Sequence, residues 1–140
     1  MNTTKKQLRK IYDRTSGYCH ICHKKLGFKN YAKFGEKACW EIEHSIPKAQ
    51  GGTDHLNNLY PACVVCNRKK RDASNYLARK EHGKSKAPLS LGARQDAKLR
   101  NGAIGTIVGG IVGRIILGPL GMIGAALLGA YTLYKRNPDK

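Results

Sequence analysis

The sequence predicts an α+β domain built around a zinc site of four cysteines, followed by a helical apolar C-terminal segment. Two Cys-x2-Cys pairs, beginning at Cys19 and Cys63, supply four thiolates, the number that closes a tetrahedral structural zinc site. Residues 38–44 alternate between apolar and polar side chains, as a half-buried strand does. Residues 115–134 carry no charge. The chain therefore divides into a metal-stabilised domain and an apolar tail.

The chain is strongly basic, which indicates a polyanionic partner. Its 140 residues contain 26 Lys and Arg against 9 Asp and Glu, a formal net charge of +17. A charge of this size favours phosphate backbones or anionic lipid. Most of it lies on residues 1–102, which also contain the cysteines. The basic residues and the predicted metal site therefore lie in the same part of the sequence.

The N-terminus predicts a domain that stays in the cytoplasm. Residues 1–15 are charged and polar, without the apolar core that a cleaved secretory signal needs. In a reducing compartment, cysteine pairs of this spacing are more often zinc ligands than disulfides. Cys39 stands outside both pairs, and we interpret it as a small core residue beside Trp40.

The first element is predicted to be an amphipathic helix. Leu8, Ile11 and Tyr12 recur at helical spacing within residues 4–14, and the helix should end near Ser16. We expect its apolar face to pack on the first cysteine pair.

The remaining elements of the domain follow in the order strand, loop, short strand, helix. Residues 18–23 are predicted to form the first zinc turn, and residues 24–37 are predicted to be mainly loop. Residues 38–44 form the strand, and residues 45–58 form a structured loop with Pro and Gly-Gly. A charged helix is predicted for residues 66–80.

Changes in composition predict four segments. Residues 1–81 form the domain that contains the cysteines, and residues 82–102 form a basic linker punctuated by Pro and Gly. Residues 103–134 form an apolar segment, of which 115–134 are long enough to span a membrane. Residues 135–140 form a short basic tail.

One segment of the domain carries a specific combination of motifs. EIEHSIPKAQGGTDHLNNLYPACVVCNRKK contains an acid-His pair, a Gly-Gly loop, an Asn-Leu and a C-x2-C-N-x2-K ending, with a second Cys-x2-Cys pair upstream. Within residues 15–80, this pattern resembles the HNH endonuclease family in its zinc-ribbon-bearing form. The resemblance implies a ββα-metal fold that cleaves phosphodiesters with one divalent cation, Mg²⁺ or another.

The resemblance implies a role for each matching residue. His44 matches the general base, Glu43 and Asn67 match the ligands of the catalytic cation, and Asn58 matches the residue that braces the loop. The structural zinc ligands are implied to be Cys19, Cys22, Cys63 and Cys66. The family more often has Asp at the position of Glu43, and the extra methylene of Glu could shift metal preference or rate.

The chemistry of these residues agrees with this interpretation. Phosphodiester hydrolysis needs a deprotonated water, and the unperturbed pKa of a histidine suits proton abstraction near neutral pH. A cation held by one carboxylate and one amide oxygen keeps positions for water and phosphate oxygens, as magnesium prefers. Zinc would replace part of the hydrophobic core that so small a domain lacks.

Two groups of side chains are predicted to contact the substrate. The basic run after Asn67 begins beside the predicted catalytic metal, so we expect it to bind phosphate. This run comprises Arg68, Lys69, Lys70 and Arg71. His55 is a further candidate because it lies in the loop before Asn58.

The tail contains small residues at every fourth position, the spacing that lines one face of a helix and resembles a glycine zipper. They are Gly105, Gly109, Gly113, Gly121, Ala125 and Gly129. We expect a membrane segment, as one span or a shallow hairpin, with self-association through the glycine face. The alternative is a buried helical hairpin that turns at Gly118-Pro119.

Together these features predict an HNH endonuclease that cuts DNA, with RNA not excluded, on the cytoplasmic face of a membrane. Defence against foreign DNA is the role that this location suggests. One alternative is a non-catalytic zinc module that binds nucleic acid through its charge. Another is a membrane-perturbing protein in which the apolar tail is the effector.

Overall fold

The computed structural model describes residues 3–139, except for the side chains of residues 117–121. The chain divides into two compact units, Met1–Leu91 and Gly92–Lys140. The first unit contains helices α1 (Lys5–Asp13), α2 (Val64–Lys70) and α3 (Asn75–Lys80), and strands β1 (Trp40–His44) and β2 (Leu59–Cys63). The helical stretch α4 (Leu91–Lys135) makes up most of the second. Helices beside a two-stranded sheet confirm the predicted α+β class.

Helix α1 agrees with the helix predicted for residues 4–14. Thr4 caps it, because its side chain accepts a hydrogen bond from the Gln7 amide while the Gln7 side chain accepts one from the Thr4 amide. Ile11 and Tyr12 are buried on the inner face. The Tyr12 hydroxyl donates to the Leu26 carbonyl at 2.6 Å. This contact fixes the helix to the segment after the first cysteine pair.

The two strands form an antiparallel hairpin-like sheet that carries the core. Trp40 pairs with Cys63 at one end, and His44 pairs with Leu59 at the other. The Trp40 side chain is fully buried, and the ring of Tyr12 lies 5.5 Å from it, centroid to centroid. The sheet therefore brings the second cysteine pair and His44 to opposite ends of one small core.

A glycine allows the chain to turn from α1 into the first cysteine pair. Gly17 has φ = 73°, and a Cβ atom there would collide with the Tyr12 ring. Only glycine combines this left-handed conformation with so close an approach. The turn that follows places Cys19 beside the Lys24 carbonyl, to which its amide donates at 2.8 Å.

The helix predicted for residues 66–80 is two helices. Arg71 has φ = 47°, a left-handed conformation that ends α2 after Lys70. Ser74 then caps α3 by accepting a hydrogen bond from the Leu77 amide at 3.3 Å. The charged composition of this region does not reveal the break between α2 and α3.

The segment predicted as a linker, residues 82–102, differs in the structure. Its first part contacts the rest of the first unit, since Ser16 donates to the Leu89 carbonyl at 2.8 Å. Its second part, from Leu91, belongs to α4. Ala97 is buried in this helix, which the basic composition of residues 82–102 does not predict.

The helical stretch α4 folds back on itself. Gly105 lies against the backbone carbonyl of Gly129, and Gly109 lies against that of Ala125, so a Cβ atom at either glycine would collide with it. In one straight helix, Gly105 and Gly129 would be about 36 Å apart at 1.5 Å per residue. The chain therefore reverses direction between Gly109 and Ala125.

The predicted glycine zipper is not confirmed. The four small residues just named contact one another within a single chain, so this part of the glycine face is covered and not free for a second copy. Gly121 and the turn predicted at Gly118-Pro119 lie outside the described side chains.

The predicted membrane segment, residues 103–134, finds no support in the described part of the chain. No helix there combines the length and the hydropathy that crossing a bilayer requires.

Candidate functional site

Four cysteine sulfurs meet where the sheet, α2 and the first turn come together. Cys63 ends β2, Cys66 lies in the first turn of α2, and Cys19 and Cys22 lie in the turn after α1. All four sulfurs lie within 4.8 Å of one another. Tetrahedral zinc-thiolate bonds of about 2.3 Å separate sulfurs by about 3.8 Å. The Cys22 and Cys63 sulfurs are 3.8 Å apart, so the cluster fits the predicted zinc ion.

The charges of the thiols also favour a cation at their centre. A hydrogen bond with Cys19 holds the pKa of the Cys22 thiol well below its usual range. Hydrogen bonding to the same cluster raises the pKa of Cys19, through Cys22, and of Cys63, through Cys19. Without a cation, neighbouring thiolates therefore oppose one another's ionisation. Zinc relieves this repulsion because it binds deprotonated thiols.

His44, the predicted general base, is held by a carboxylate. Its Nε2 lies 2.7 Å from Asp54 Oδ1, and the other carboxylate oxygen accepts from Lys48 Nζ at 2.9 Å. The hydrogen bond with His44, followed by that with Lys48, lowers the pKa of Asp54. An ionised carboxylate only accepts, so Nε2 of a neutral His44 carries the proton and Nδ1 keeps its lone pair.

Asn58 ties together the loop that follows His44. Its side-chain oxygen accepts from the Ile46 amide at 2.7 Å, and its side-chain nitrogen donates to the carbonyls of Ile46 and Thr53. Gly52 makes the loop compact, since a Cβ atom there would collide with the Ile46 carbonyl. This arrangement corresponds to the bracing role implied for Asn58, and it brings Asp54 within reach of His44.

Glu43 lies in a buried network of charged and polar side chains. Its Oε1 is 2.6 Å from Lys70 Nζ, and its Oε2 is 2.7 Å from His20 Nε2. The exposed fractions of the Glu43, Lys70 and His20 side chains are 3, 1 and 0%. Burial opposes ionisation, yet these two partners hold the pKa of Glu43 below its usual range. Glu43 is thus an ionised carboxylate with a charged or polar side chain within 2.7 Å of each oxygen.

His20 is the neutral member of this network. Arg79 Nη2 lies 3.1 Å from His20 Nδ1 and donates to it, so Nε2 carries the proton that faces Glu43. Burial lowers the pKa of His20, which keeps the ring uncharged. Its ring also stacks on Tyr60 of β2. The single charges of Glu43 and Lys70 therefore balance each other.

Asn67, the other predicted cation ligand, contacts a different carboxylate. Its Nδ2 donates to Glu41 Oε2 at 3.1 Å, and the second oxygen of Glu41 lies 3.7 Å from an Arg68 nitrogen. In this structure Glu43 contacts Lys70 and His20, and Asn67 contacts Glu41. Joint binding of a cation by Glu43 and Asn67 stays a prediction.

The four basic residues after Asn67 differ in their exposure to solvent. Arg68 and Lys69 are 63% and 64% exposed, although Lys69 pairs with Glu81 at 2.8 Å. Arg71 is also exposed. Lys70 is buried, and it donates to the His44 carbonyl in addition to its contact with Glu43. Its ammonium group therefore does not face solvent in this structure, and phosphate binding by Lys70 stays a prediction.

His55 lies at the surface of the loop. Its Nδ1 accepts a hydrogen bond from the Asn57 amide at 3.3 Å, so it caps the short 3-10 turn Leu56–Asn58. The ring is exposed and remains accessible to a substrate.

Four residues of the site escaped the sequence analysis: His20, Glu41, Lys48 and Asp54. Glu41 and Glu43 are two residues apart on a strand and so share one face, a signal that was present in the sequence. Asp54 lies in the Gly-Gly loop, where only the folded path brings it to His44. His20 lies between two of the cysteines, and nothing in the local sequence predicts that its ring reaches Glu43.

Comparison with known proteins supports the resemblance over this part of the chain. Residues 19–73 match the family model described as HNH endonuclease. No curated protein and no solved structure matched the chain. The matched segment includes all four cysteines, His44, Asn58 and Asn67.

Proposed function

We propose that this protein is an endonuclease that hydrolyses phosphodiester bonds of DNA, with His44 as the general base. The observation that carries the proposal is the contact between His44 Nε2 and Asp54 Oδ1 at 2.7 Å. It orients the ring and directs the lone pair of Nδ1 away from the carboxylate. A base oriented by a carboxylate is a recurring arrangement in hydrolases.

The proposed reaction proceeds by attack of water on phosphorus. His44 Nδ1 takes a proton from the water as its oxygen bonds to phosphorus, and the bond to the leaving sugar oxygen breaks. The leaving oxygen then takes a proton from solvent. Asp54 stabilises the imidazolium formed on His44, because its carboxylate lies against the protonated Nε2.

Charge supports a nucleic-acid substrate. The chain carries a net charge of +17, and Arg68 extends into solvent next to Asn67. Phosphate contacts of this kind position a duplex without reading its sequence. DNA is the substrate that we propose. RNA added to a plasmid-cleavage assay tests whether RNA competes with DNA for the same site.

Two metals belong to the proposal. Zinc at the four cysteines is structural, since all four ligand positions are thiolates and none remains for substrate. A divalent cation such as Mg²⁺ would neutralise charge on the phosphate that is attacked.

Location and biological role stay predictions from the sequence. The membrane location is predicted only from the uncharged stretch 115–134 of the sequence, and foreign DNA is the target that such a location suggests. Extraction of membranes with carbonate tests the location, because an integral segment stays in the pellet and a basic peripheral protein does not.

A second candidate function is a non-catalytic zinc module that binds nucleic acid. The observation that favours it is the burial of Glu43, which removes the carboxylate implied to bind the catalytic cation. The retained pairing of His44 with Asp54 favours the nuclease.

Plasmid cleavage separates the two candidates. The zinc-loaded protein should convert supercoiled DNA to nicked circles when Mg²⁺ is added, and His44→Ala should lose at least about 100-fold in rate, the usual contribution of a general base. Tyr76→Ala is the control, because that ring is exposed on α3 and lies outside every predicted catalytic, substrate-binding and metal position. DNA binding without cleavage by the wild-type protein would instead favour the non-catalytic module.

A further inference from the structure

A groove lies between the segment that follows the first cysteine pair and the start of α2. Its volume is about 670 Å³, within the range of pockets that hold small ligands. Three of the clustered cysteines, Cys22, Cys63 and Cys66, line one side of it, and Leu26 and Val64 add apolar surface. The reaction proposed for His44 does not use this groove.

Phe34 places an aromatic ring at the groove. This residue is 60% exposed, although it is one of only two phenylalanines in the chain. A single exposed apolar side chain is ordinary on a protein surface. The groove beside this ring and the cations around it distinguish Phe34 from such a case.

Hydrogen bonds hold the loop that carries Phe34. The Asn30 side-chain nitrogen donates to the Lys37 carbonyl at 2.8 Å, and the Ala32 amide donates to the Trp40 carbonyl at 2.9 Å. The loop is therefore fixed on both sides of Phe34. A ring that is already held in place costs a ligand little ordering entropy when the ligand binds.

The charge of the groove suits a polyanion. Lys24, Lys25, Lys37 and Arg68 line it, and Glu36 is the acidic residue among its lining side chains. Four positive charges less one negative charge leave a net charge of +3 around the groove. Such a concentration of one sign attracts the opposite charge.

Arg68 connects the groove with strand β1. Its guanidinium carbon lies 4.9 Å from the centre of the Phe34 ring, and one of its nitrogens lies 3.7 Å from a Glu41 oxygen. Aromatic rings and guanidinium planes are the two side-chain surfaces on which nucleic-acid bases stack. Phe34 and Arg68 therefore offer both surfaces side by side.

The groove and His44 lie toward opposite ends of β1. Cys39 and Cys63 line the groove, and they lie at the end of the sheet where Trp40 pairs with Cys63. The four steps from Trp40 to His44 span about 13 Å at about 3.3 Å per residue. One strand of duplex DNA covers this distance in about four nucleotides at about 3.4 Å each. A single nucleic-acid strand is thus long enough to reach both places.

We propose that this groove holds an unpaired base of a DNA strand, with Phe34 stacked on the base and Lys37 and Arg68 on its phosphates. A basic groove with an aromatic ring is the combination by which proteins bind single strands. Inside a duplex, both faces of a base are covered by its neighbours, so the ring selects a single-stranded or frayed segment. An acidic peptide would satisfy the lysines, but it lacks the flat ring that Phe34 would stack on. This inference rests on the proposed nuclease function, which supplies the nucleic acid.

Strands with and without bases test the proposed stacking. We would measure fluorescence anisotropy of a labelled thymidine strand, and of an abasic strand with the same phosphates, upon addition of full-length, zinc-loaded protein without Mg²⁺. The wild type should bind the thymidine strand at least about fivefold more tightly, as one stacked base contributes. Phe34→Leu stays apolar but has no ring, so the two affinities should come within about twofold of each other. Equal affinities in the wild type, or an unchanged preference in Phe34→Leu, overturn the inference.

Three further variants separate stacking from charge and from folding. Tyr76→Leu is the matched control, because Tyr76 is also 60% exposed but lies on α3 outside the groove, and it should keep the wild-type preference. Lys37→Gln should weaken binding of both strands by the same factor, since a phosphate contact does not depend on the base. Phe34→Trp retains a ring and should keep the preference. Loss of the preference in Tyr76→Leu or in Phe34→Trp also overturns the inference.

Duplexes test whether the base must be unpaired. A duplex with a single-stranded overhang should bind the wild type more tightly than a blunt duplex with the same number of phosphates. Phe34→Leu should bind the two duplexes equally. Tighter binding of the blunt duplex by the wild type contradicts the selection of unpaired bases.

These outcomes are separate from the test of the nuclease, because binding is measured without Mg²⁺ and cleavage is measured with it. Wild-type protein that prefers bases through Phe34 but does not nick plasmid would contradict the proposed function alone. Protein that nicks plasmid through His44 but binds both strands equally would contradict the assignment of the groove alone.

Discussion

The side-chain amide of Asn67 donates to the carboxylate of Glu41 across 3.1 Å. This contact joins the middle of β1 to the helix that begins at the second cysteine pair. It also fixes how strand and helix align. In this alignment Glu43 on the strand meets Lys70 on the helix, and both are buried in the core. The same register decides which carboxylate is accessible to solvent and which one is not.

Replacing Asp54 should impair the base without affecting the fold. Asp54→Asn removes the charge that stabilises the His44 imidazolium, and we expect plasmid nicking to slow by about tenfold or more. Asp54 is 46% exposed, so unfolding by urea should be almost unchanged. Asp72→Asn makes the same charge change after α2 and should leave the rate near that of the wild type. A rate for Asp54→Asn equal to that control would contradict the assigned role.

Zinc should be needed for the fold of the first unit. Cys63→Ser removes one of four thiolates, so the protein should lose its zinc and much of its structure, as small zinc domains do. Elemental analysis and circular dichroism measure the two losses. Cys39→Ser is the matched control, because Cys39 is buried but lies outside the four-sulfur cluster, and it should keep one equivalent of zinc. A folded, zinc-free Cys63→Ser protein would contradict the structural assignment.

The contact between Glu43 and Lys70 should make the free energy of unfolding decrease as the pH falls below about 4.5. Glu43 has a pKa below its ordinary value of 4.5, so its contribution is complete above that value and disappears as pH falls through the lowered pKa. Gln resembles the protonated form of Glu. The wild type should therefore exceed Glu43→Gln by about 3 kcal/mol in free energy of unfolding at pH 7, and by less at pH 4 and below.

Urea titrations of both proteins at several pH values measure this difference directly. Loss of zinc in acid affects both proteins alike, so it largely cancels in the comparison. A difference that stays constant down to pH 3 would show that Glu43 is not an ionised partner of Lys70.

The thermal stability of the second unit should change when single glycines are replaced by alanine. Gly105→Ala places a Cβ atom against the Gly129 carbonyl, so the packing of α4 on itself should be disrupted and its thermal unfolding should move to lower temperature. Gly124→Ala is the control, because nothing lies within 4 Å of a Cβ atom there. That change should stabilise the helix, by up to about 1 kcal/mol. Equal effects of the two substitutions on thermal unfolding would contradict the reversal of α4.

The sequence predicted best the features that depend on spacing alone. The Cys-x2-Cys pairs and the apolar positions of α1 could be predicted because local periodicity brings their members together. The contact of Glu43 with Lys70 could not be predicted, because a strand places Glu41 and Glu43 on one face and only the packing of α2 decides which of them meets Lys70. The burial of Lys70 depends on the same packing.

The zinc cluster has a consequence for the maturation of the newly synthesised chain. Cys66 is followed directly by Asn67, so the ion that closes the cluster also orders the residue proposed to hold the catalytic cation. A newly synthesised chain would therefore lack the proposed nuclease site until it acquires zinc. The proposed activity would depend on zinc supply as well as on the cation that assists cleavage.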